Sequence, residues 1–350
     1  MKKIRVNTSI PYDVIIERGS ICKCGEYIAK IAKSKKAAII TDDIVEKLYG
    51  DVVKKSLMEN GFDFSIFSFK NGEESKNLST LSNIYDFLSE SNITRNDIII
   101  ALGGGVVGDI TGFAAATFLR GIEFVQIPTT LLAQIDSSVG GKTAIDLKCG
   151  KNLVGSFKQP AAVICDSNTL QTLSPEILSD GMAEAIKYGM IHNKELFKLI
   201  DSHDLNSIHE VIDDVVYTCI DIKRIVVEND EFDKGERMIL NFGHTIGHAI
   251  EGYHNYINYT HGKGVTAGMC YITRRFSDKD ISNQLEQCVR KYNLPTSSEA
   301  SMSELLPYCS KDKKRESSNI SYIICREIGK AEICRVSINE FNKLMLMEEI

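Results

Sequence analysis

The chain has 350 residues, 43% hydrophobic and 25% charged, with 41 basic against 47 acidic side chains and a net charge of -6. That balance excludes a general nucleic-acid binder, which carries a basic excess, and no apolar run approaches the roughly 20 residues of a membrane span. At about 150 residues per domain the length predicts two domains, large enough to fold without disulfides. In chain order, Ile4–Val6 and Tyr12–Ile16 predict two strands around Ser9-Ile10-Pro11. The basic start at Met1-Lys2-Lys3 is followed by no apolar signal-peptide core, so a cytoplasmic protein is expected. Apolar runs at 37–41, 64–69, 98–102 and 124–127 predict buried parallel strands, with helices at 44–60 and 78–91 between them. This alternation predicts βαβ units and an α/β, Rossmann-like first domain. Gln159-Pro160 and the run Ala161–Cys165 mark an expected junction near 160.

From 174 the pattern changes. Ser174-Pro175-Glu176 reads as an N-cap, a first-turn proline and a first-turn acid. Amphipathic stretches at 176–191, 205–227 and 241–251 predict an all-α second domain over 161–350. Residues 310–319 read by themselves as a solvated loop. The ten cysteines are scattered, and reduced thiols are expected.

Gly103-Gly104-Gly105-Val106-Val107-Gly108-Asp109 follows one predicted strand and precedes a helix-like run. Such glycines let the backbone approach a pyrophosphate at a helix N-terminus, or simply make a structural turn. Gly140-Gly141-Lys142-Thr143 is no Walker A loop, because Asp136 stands where its first glycine is needed. Lys142 and Lys151, on glycine-rich segments, suit an anionic substrate or are solvated loop residues. His244 and His248 share one helix face, His261 follows, and Glu184 with Lys187 lies on an earlier helix. These residue types suit zinc or a similar divalent ion with a coordination position left open. Thr245 replaces the glutamate of H-E-x-x-H, which disfavours a zincin protease. A bland reading as satisfied surface or core histidines remains.

Four blocks carry a family resemblance: 101–121 (ALGGGVVGDITGFAAATFLRG), 127–160 (IPTTLLAQIDSSVGGKTAIDLKCGKNLVGSFKQP), 181–189 (GMAEAIKYG) and 240–251 (LNFGHTIGHAIE). Over nearly its whole length the chain resembles the 3-dehydroquinate synthase family. The resemblance implies an NAD-binding α/β domain (1–160) and a helical metal- and substrate-binding domain (161–350), an architecture shared with glycerol dehydrogenase-like enzymes. It places the active site in the cleft between the domains. The implied reaction turns 3-deoxy-D-arabino-heptulosonate 7-phosphate into 3-dehydroquinate and phosphate, with NAD used but not consumed.

By the same resemblance, zinc or cobalt falls to Glu184, His244 and His261. NAD falls to Asp42, Glu73 to Lys76, Gly104, Gly105, Val106, Asp109, Thr129, Thr130, Lys142, Lys151, Thr169, Leu170, Gln171 and Thr172. Substrate contacts and catalysis fall to Arg120, Asp136, Lys142, Lys151, Asn152, Lys187, Lys223, Asp233, Arg237, Asn241, His248 and Lys313, with Lys314 as an off-by-one alternative. Arg120 is implied to reach a partner's site in a homodimer. The chain departs from the family at Ile44, where asparagine is usual, at Asp180, again for asparagine, and at Asp233, for glutamate. A metal-dependent polyol dehydrogenase and another sugar-phosphate cyclase of the same fold are the alternative readings.

Overall fold

The computed structural model describes residues 1–254, 259–309 and 319–347. They form two units: Met1–Leu173 with Lys223–Phe232, and Ser174–Ile222 with Asp233–Ile350. The strands of the first unit are β1 (Lys2–Val6), β2 (Tyr12–Ile16), β3 (Lys36–Asp42), β4 (Asp63–Phe69), β5 (Ile98–Gly103), β6 (Glu123–Pro128), β7 (Lys142–Leu147), β8 (Gly150–Phe157) and β9 (Ala162–Cys165). Seven make one sheet in the order β1-β2-β9-β6-β5-β3-β4, while β7 and β8 pair separately as a hairpin. Only β1 and β2 pair antiparallel in the large sheet. Because β9 joins that sheet beside β2 and β6, the first unit continues past residue 160 to Leu173.

Alternate residues of the central strands feed two cores. Ile39, Ile98, Ile100 and Leu102 pack on one face against Ile28 of α1 (Cys24–Ala29) and Val53 and Leu57 of α3 (Asp51–Glu59). Ile40, Ile99 and Ala101 pack on the other against Leu81, Ile84 and Leu88 of α4 (Leu78–Glu90) and Val107 and Ile110 of α5 (Gly105–Thr117). Strands covered on both sides are apolar at every position, which is why β5 reads IIIALG. The predicted helix 44–60 is three consecutive helical pieces: α2 (Asp43–Val45), a wide turn at Glu46–Gly50, and α3.

The entry to β5 is pinned by Asp97. Its carboxylate accepts from the Thr94 backbone N–H at 2.7 Å, the Thr94 hydroxyl at 2.9 Å and the Ser34 hydroxyl at 2.5 Å. Burial opposes its charge, yet the hydrogen bonds from Ser34 and Thr94 hold the carboxyl below its ordinary 3.8. A depressed folded pKa stabilises the fold above the unfolded value and loses that contribution as pH falls through the folded one. Asp97→Ala should therefore cost about 1–3 kcal/mol at neutral pH, measured by urea unfolding. The gap to the parent should narrow below pH 3.8. An unchanged urea midpoint at neutral pH would refute this.

In the second unit, Ser174 caps α6 (Pro175–His192), and Asn193 caps α7 (Lys194–Asp201). The predicted helix from Leu205 starts later, as α8 (Ile212–Asn229). Asp204 is the reason: its Oδ1 accepts from the N–H groups of Asn206 and Ser207 at 3.0 and 2.9 Å and holds the chain in a turn. From Lys223 onward α8 belongs to the first unit, where Glu228 receives both Asn7 donors and Glu231 receives Ser9 and Gln159. There follow α9 (His244–Tyr253), α10 (His261–Phe276), α11 (Lys279–Lys291) and α12 (Met302–Cys309). The unit is helical but ends with a hairpin the sequence reading lacked, β10 (Asn319–Glu327) and β11 (Lys330–Ser337), before α13 (Ile338–Leu346). No helix of the described residues is long and apolar enough to cross a membrane. All ten cysteines are free thiols.

Candidate active site

In the first unit the candidate cofactor residues gather where the parallel strands end. Asp42 closes β3, the glycine run closes β5, Thr129-Thr130 follow β6, and Thr169 to Thr172 follow β9. The chain goes from β3 outward to β4 and then back to β5 on the other side of β3, so the order reverses there. Open α/β sheets bind ligands outside the carboxyl ends of strands at such a reversal. Gly104 leads into α5, whose first turn has no side-chain cap. A Cβ on Gly104 would stand 3.1 Å from Thr130, and one on Gly105 3.2 Å from Ser137. The Thr129 N–H donates to the Gly103 carbonyl at 3.0 Å, which joins the two strand ends. Asp42 is buried, and its Oδ1 caps α2 by accepting from Ile44 and Val45 N–H. That capping is backbone chemistry, so Ile44 in place of asparagine leaves it intact. Tyr49 joins Thr169 and Thr172. Leu170 is buried and Gln171 exposed.

A second cluster links Glu73, Lys76, Asp109, Lys151 and Asn152. Lys76 Nζ sits 2.6 Å from Asp109 Oδ2 and donates to Asn152 Oδ1 at 2.6 Å. Lys151 Nζ is 3.7 Å from Glu73. Burial works against the charge on Lys76, but Asp109 and Glu73 raise its pKa above 10.5. Asn152 holds φ at +56° while its N–H donates to Asp146 at 2.7 Å, aiming the hairpin at Lys76. Glycine-rich sequence had suggested loops here, but Lys142, Lys151 and Asn152 lie on the β7–β8 hairpin. Lys142 is exposed at its start. Buried Lys223 pairs with Asp136. Arg120 is exposed and, with Leu119, holds a left-handed backbone at φ +66° and +51°. Two such non-glycine residues in succession cost free energy and are typical of functional loops.

The second unit holds the candidate metal centre. Glu184 and Lys187 occupy one face of α6, are almost fully buried, and form an ion pair. The Nε2 atoms of His244 and His261 each lie 3.5 Å from Glu184 Oε1. The outer nitrogens are engaged: His244 Nδ1 faces the Phe242 carbonyl at 3.1 Å and His261 Nδ1 faces Glu251 Oε1 at 3.0 Å. If each Nδ1 carries the proton, both Nε2 lone pairs point at the carboxylate, as a cation requires. Electrostatics agree. Burial lowers the pKa of His261, but Glu184 and Glu251 overcome it and push it up to about 10. The two carboxylates thus favour positive charge between His261 and Glu184, where a divalent cation would take the place of the Nε2 proton. Burial and the Lys187 ammonium instead hold His244 well below 6.5, so it stays a neutral donor. The residues present thus fit a divalent metal.

Small residues make that convergence possible. Gly243 precedes α9 at φ +79°, a left-handed turn, and a Cβ there would stand 2.9 Å from the Met269 nitrogen of α10. A Cβ on Gly247 would stand 2.9 Å from the Gly264 carbonyl carbon. The helices α9 and α10 therefore touch through backbone and bring the three histidines together, with His248 and His261 ring centres 6.1 Å apart. Asp180 helps: its Oδ1 accepts from the Gly262 N–H at 2.7 Å and ties the start of α10 to α6. The donor atoms of His248, Glu251 and His261 also lie within 4.8 Å of one another. However, His248 is exposed, and Glu251 is engaged with the outer nitrogen of His261, so the buried set centred on Glu184 is the better cation site. Arg237 is buried, Asn241 exposed, and Asp233 half-buried at φ +55°. Lys313 and its alternative Lys314 lie outside the described residues. Glu251 escaped the sequence reading, although its place on the helix face of His244 and His248 was a usable signal.

A glycine turn at parallel strand ends and a buried cation site mark the class of metal- and dinucleotide-dependent enzymes. Residues 66–180 match the family model described as 3-dehydroquinate synthase N-terminal, and residues 181–315 match the C-terminal one. The 3-dehydroquinate synthase of Clostridium botulinum (strain Alaska E43 / Type E3) is 48% identical over 337 residues, covering 94% of this chain and 96% of that protein. A 2-deoxy-scyllo-inosose synthase crystallised with carbaglucose-6-phosphate, NAD+ and Co2+ superimposes with a TM-score of 0.87 at 26% identity, covering 98% of this chain and 99% of that one. The 2-epi-5-epi-valiolone synthase of Streptomyces hygroscopicus subsp. jinggangensis 5008 shares the fold, with a TM-score of 0.88 at 22% identity and 98% of each chain covered. The chain belongs to the 3-dehydroquinate synthase family.

Proposed function

We propose that the residues gathered above carry out the family's reaction. 3-Deoxy-D-arabino-heptulosonate 7-phosphate becomes 3-dehydroquinate and phosphate by transient oxidation at C5, loss of phosphate, re-reduction and intramolecular aldol closure. The observation that carries this reading is the buried Glu184–His244–His261 cluster with Lys187 against it. The first unit would bind NAD, which supplies the reversible hydride acceptor, through Asp42, Glu73 to Lys76, Gly104 to Val106, Asp109, Thr129, Thr130 and Thr169 to Thr172. A divalent ion on Glu184, His244 and His261 would lower the pKa of a bound hydroxyl and polarise the derived ketone.

The rest is positioning and charge. Lys142 and Lys223 would meet the substrate carboxylate. Lys151, Asn152, Arg237 and His248 would meet its phosphate, where an arginine fork and lysine point charges suit the two anions. Asp136 holds the Lys223 ammonium in place, Lys187 balances the charge of Glu184, and Asn241 would orient the sugar chain. His248 and Asp233 are the side chains proposed to move protons, and the phosphate of the substrate is the alternative base for the C6 proton. Exposed Arg120, on its left-handed backbone, would enter the phosphate site of a partner subunit, which makes a homodimer the working unit. We place that unit in the cytoplasm.

The test uses purified protein with the substrate, zinc and a catalytic amount of NAD. Phosphate and 3-dehydroquinate should appear in equal amounts over many turnovers per NAD, with no net NADH. Stoichiometric NADH would instead favour the polyol dehydrogenase reading. Turnover of only a sugar phosphate without the carboxylate would favour another cyclase.

A further inference from the structure

Glu251 stands outside the donor set yet touches it. It lies on α9 beyond His244 and His248, is 4% exposed, and its Oε1 faces His261 Nδ1 at 3.0 Å. Carboxylates are buried at a cost and are retained inside a protein when a charged or hydrogen-bonding partner holds them. The slot is shaped for this one: a Cβ on Gly264, one turn beyond His261, would come within 3.2 Å of both Glu251 Cγ and Oε1. Glycine at 264 thus leaves the carboxylate room to reach the imidazole.

We infer that Glu251 is a positioning residue for the metal centre, fixing the His261 imidazole with its proton on Nδ1 and its Nε2 lone pair toward Glu184. The arrangement is a carboxylate–histidine–metal relay. A negative partner on the outer nitrogen makes the inner nitrogen a stronger donor, and ring orientation is set before the ion arrives. This rests on the proposed ligation by His261. It also accounts for the second cluster of potential donors, His248–Glu251–His261. In this reading Glu251 supports a ligand and is not itself one.

The experiment is zinc affinity by chelator competition, with the thermal midpoint of the chelator-treated full-length protein measured alongside. Glu251→Gln keeps size and acceptor but removes the charge. It should lose zinc affinity by about 10–100-fold, and the chelator-treated midpoint should not rise, because the charge removed was paired with the His261 ring. Glu251→Ala should lose at least as much affinity. In a His261→Ala background, titrated with zinc high enough to read the weak binding left to Glu184 and His244, Glu251→Gln should cause no further loss, since its effect runs through that ring. Parental zinc affinity in Glu251→Gln, while His261→Ala loses zinc, overturns the proposal and leaves His261 as a ligand. Parental affinity in His261→Ala overturns both. An undiminished Glu251→Gln loss in the His261→Ala background, whatever the midpoint, shows an effect through the fold and also overturns it.

Discussion

His261→Ala is expected to leave the purified protein without bound zinc and to lower kcat/KM by about a thousandfold or more. Three donors converge within 4.8 Å, two imidazoles and one buried carboxylate. Removing one leaves two ligands, too few for the closed side of a catalytic site. Losing the metal's stabilisation of developing oxygen charge removes several kcal/mol, and each 1.36 kcal/mol is tenfold in rate. His248→Ala should behave differently. Its ring is exposed and lies 6.1 Å from His261 between centres, so zinc should stay while turnover falls by about 10²–10⁴-fold, the range of a lost general acid or base. Metal content by elemental analysis beside steady-state kinetics separates the two. Zinc lost from His248→Ala but kept by His244→Ala would mean that the ion sits on the other donor group.

The second large effect concerns a position with no chemistry. Gly268→Ala is expected to destabilise the second unit by more than about 3 kcal/mol, at or beyond the usual range for overpacking. Alanine ordinarily improves a helix interior over glycine by roughly 0.5–1 kcal/mol. Here the new Cβ would collide with the Gly243 carbonyl oxygen and stand 2.8 Å from the Gly247 nitrogen. Those atoms are backbone, so no rotamer change relieves the contact, and α9 must move away from α10. For a unit of this size the melting temperature should drop by roughly 6–12 °C. Zinc affinity should fall with it although no ligand has changed, because His244 rides on α9 and His261 on α10. A variant as stable as the parent would show that the helices do not meet as described.

Much of the first unit was legible because its signals are local. A strand covered on both faces must be apolar throughout, so IIIAL and AAIIT announce themselves. Ser174-Pro175-Glu176 marks a helix start through a cap that needs only its own neighbours. The β7–β8 hairpin was not legible. Its pairing joins Lys142 to Phe157 across a glycine-rich stretch, and its alternation is weak because much of it is exposed. The β10–β11 hairpin was half legible and missed: Ile320–Cys325 is an apolar run of the same kind, but its partner β11 is mostly exposed and shows no clear alternation. The start of α8 was misplaced because a single side chain, Asp204, diverts the backbone into a turn.

The net charge of −6 is an average that conceals a local arrangement. By itself the sequence determined the residue types: three histidines, a glutamate and several lysines and arginines in blocks that resemble one family, together with the α/β-then-helical order of the chain. Those follow from composition, periodicity and short spacings, which survive in one dimension. Only the tertiary structure decided that His244 and His261 meet the buried Glu184, that Lys76 bridges Asp109 and Asn152, and that Glu251 stands behind His261. These depend on residues far apart in the chain meeting at hydrogen-bond distance, and on backbone contacts between α9 and α10 that glycine permits. Close packing sets such distances, and no linear pattern encodes them.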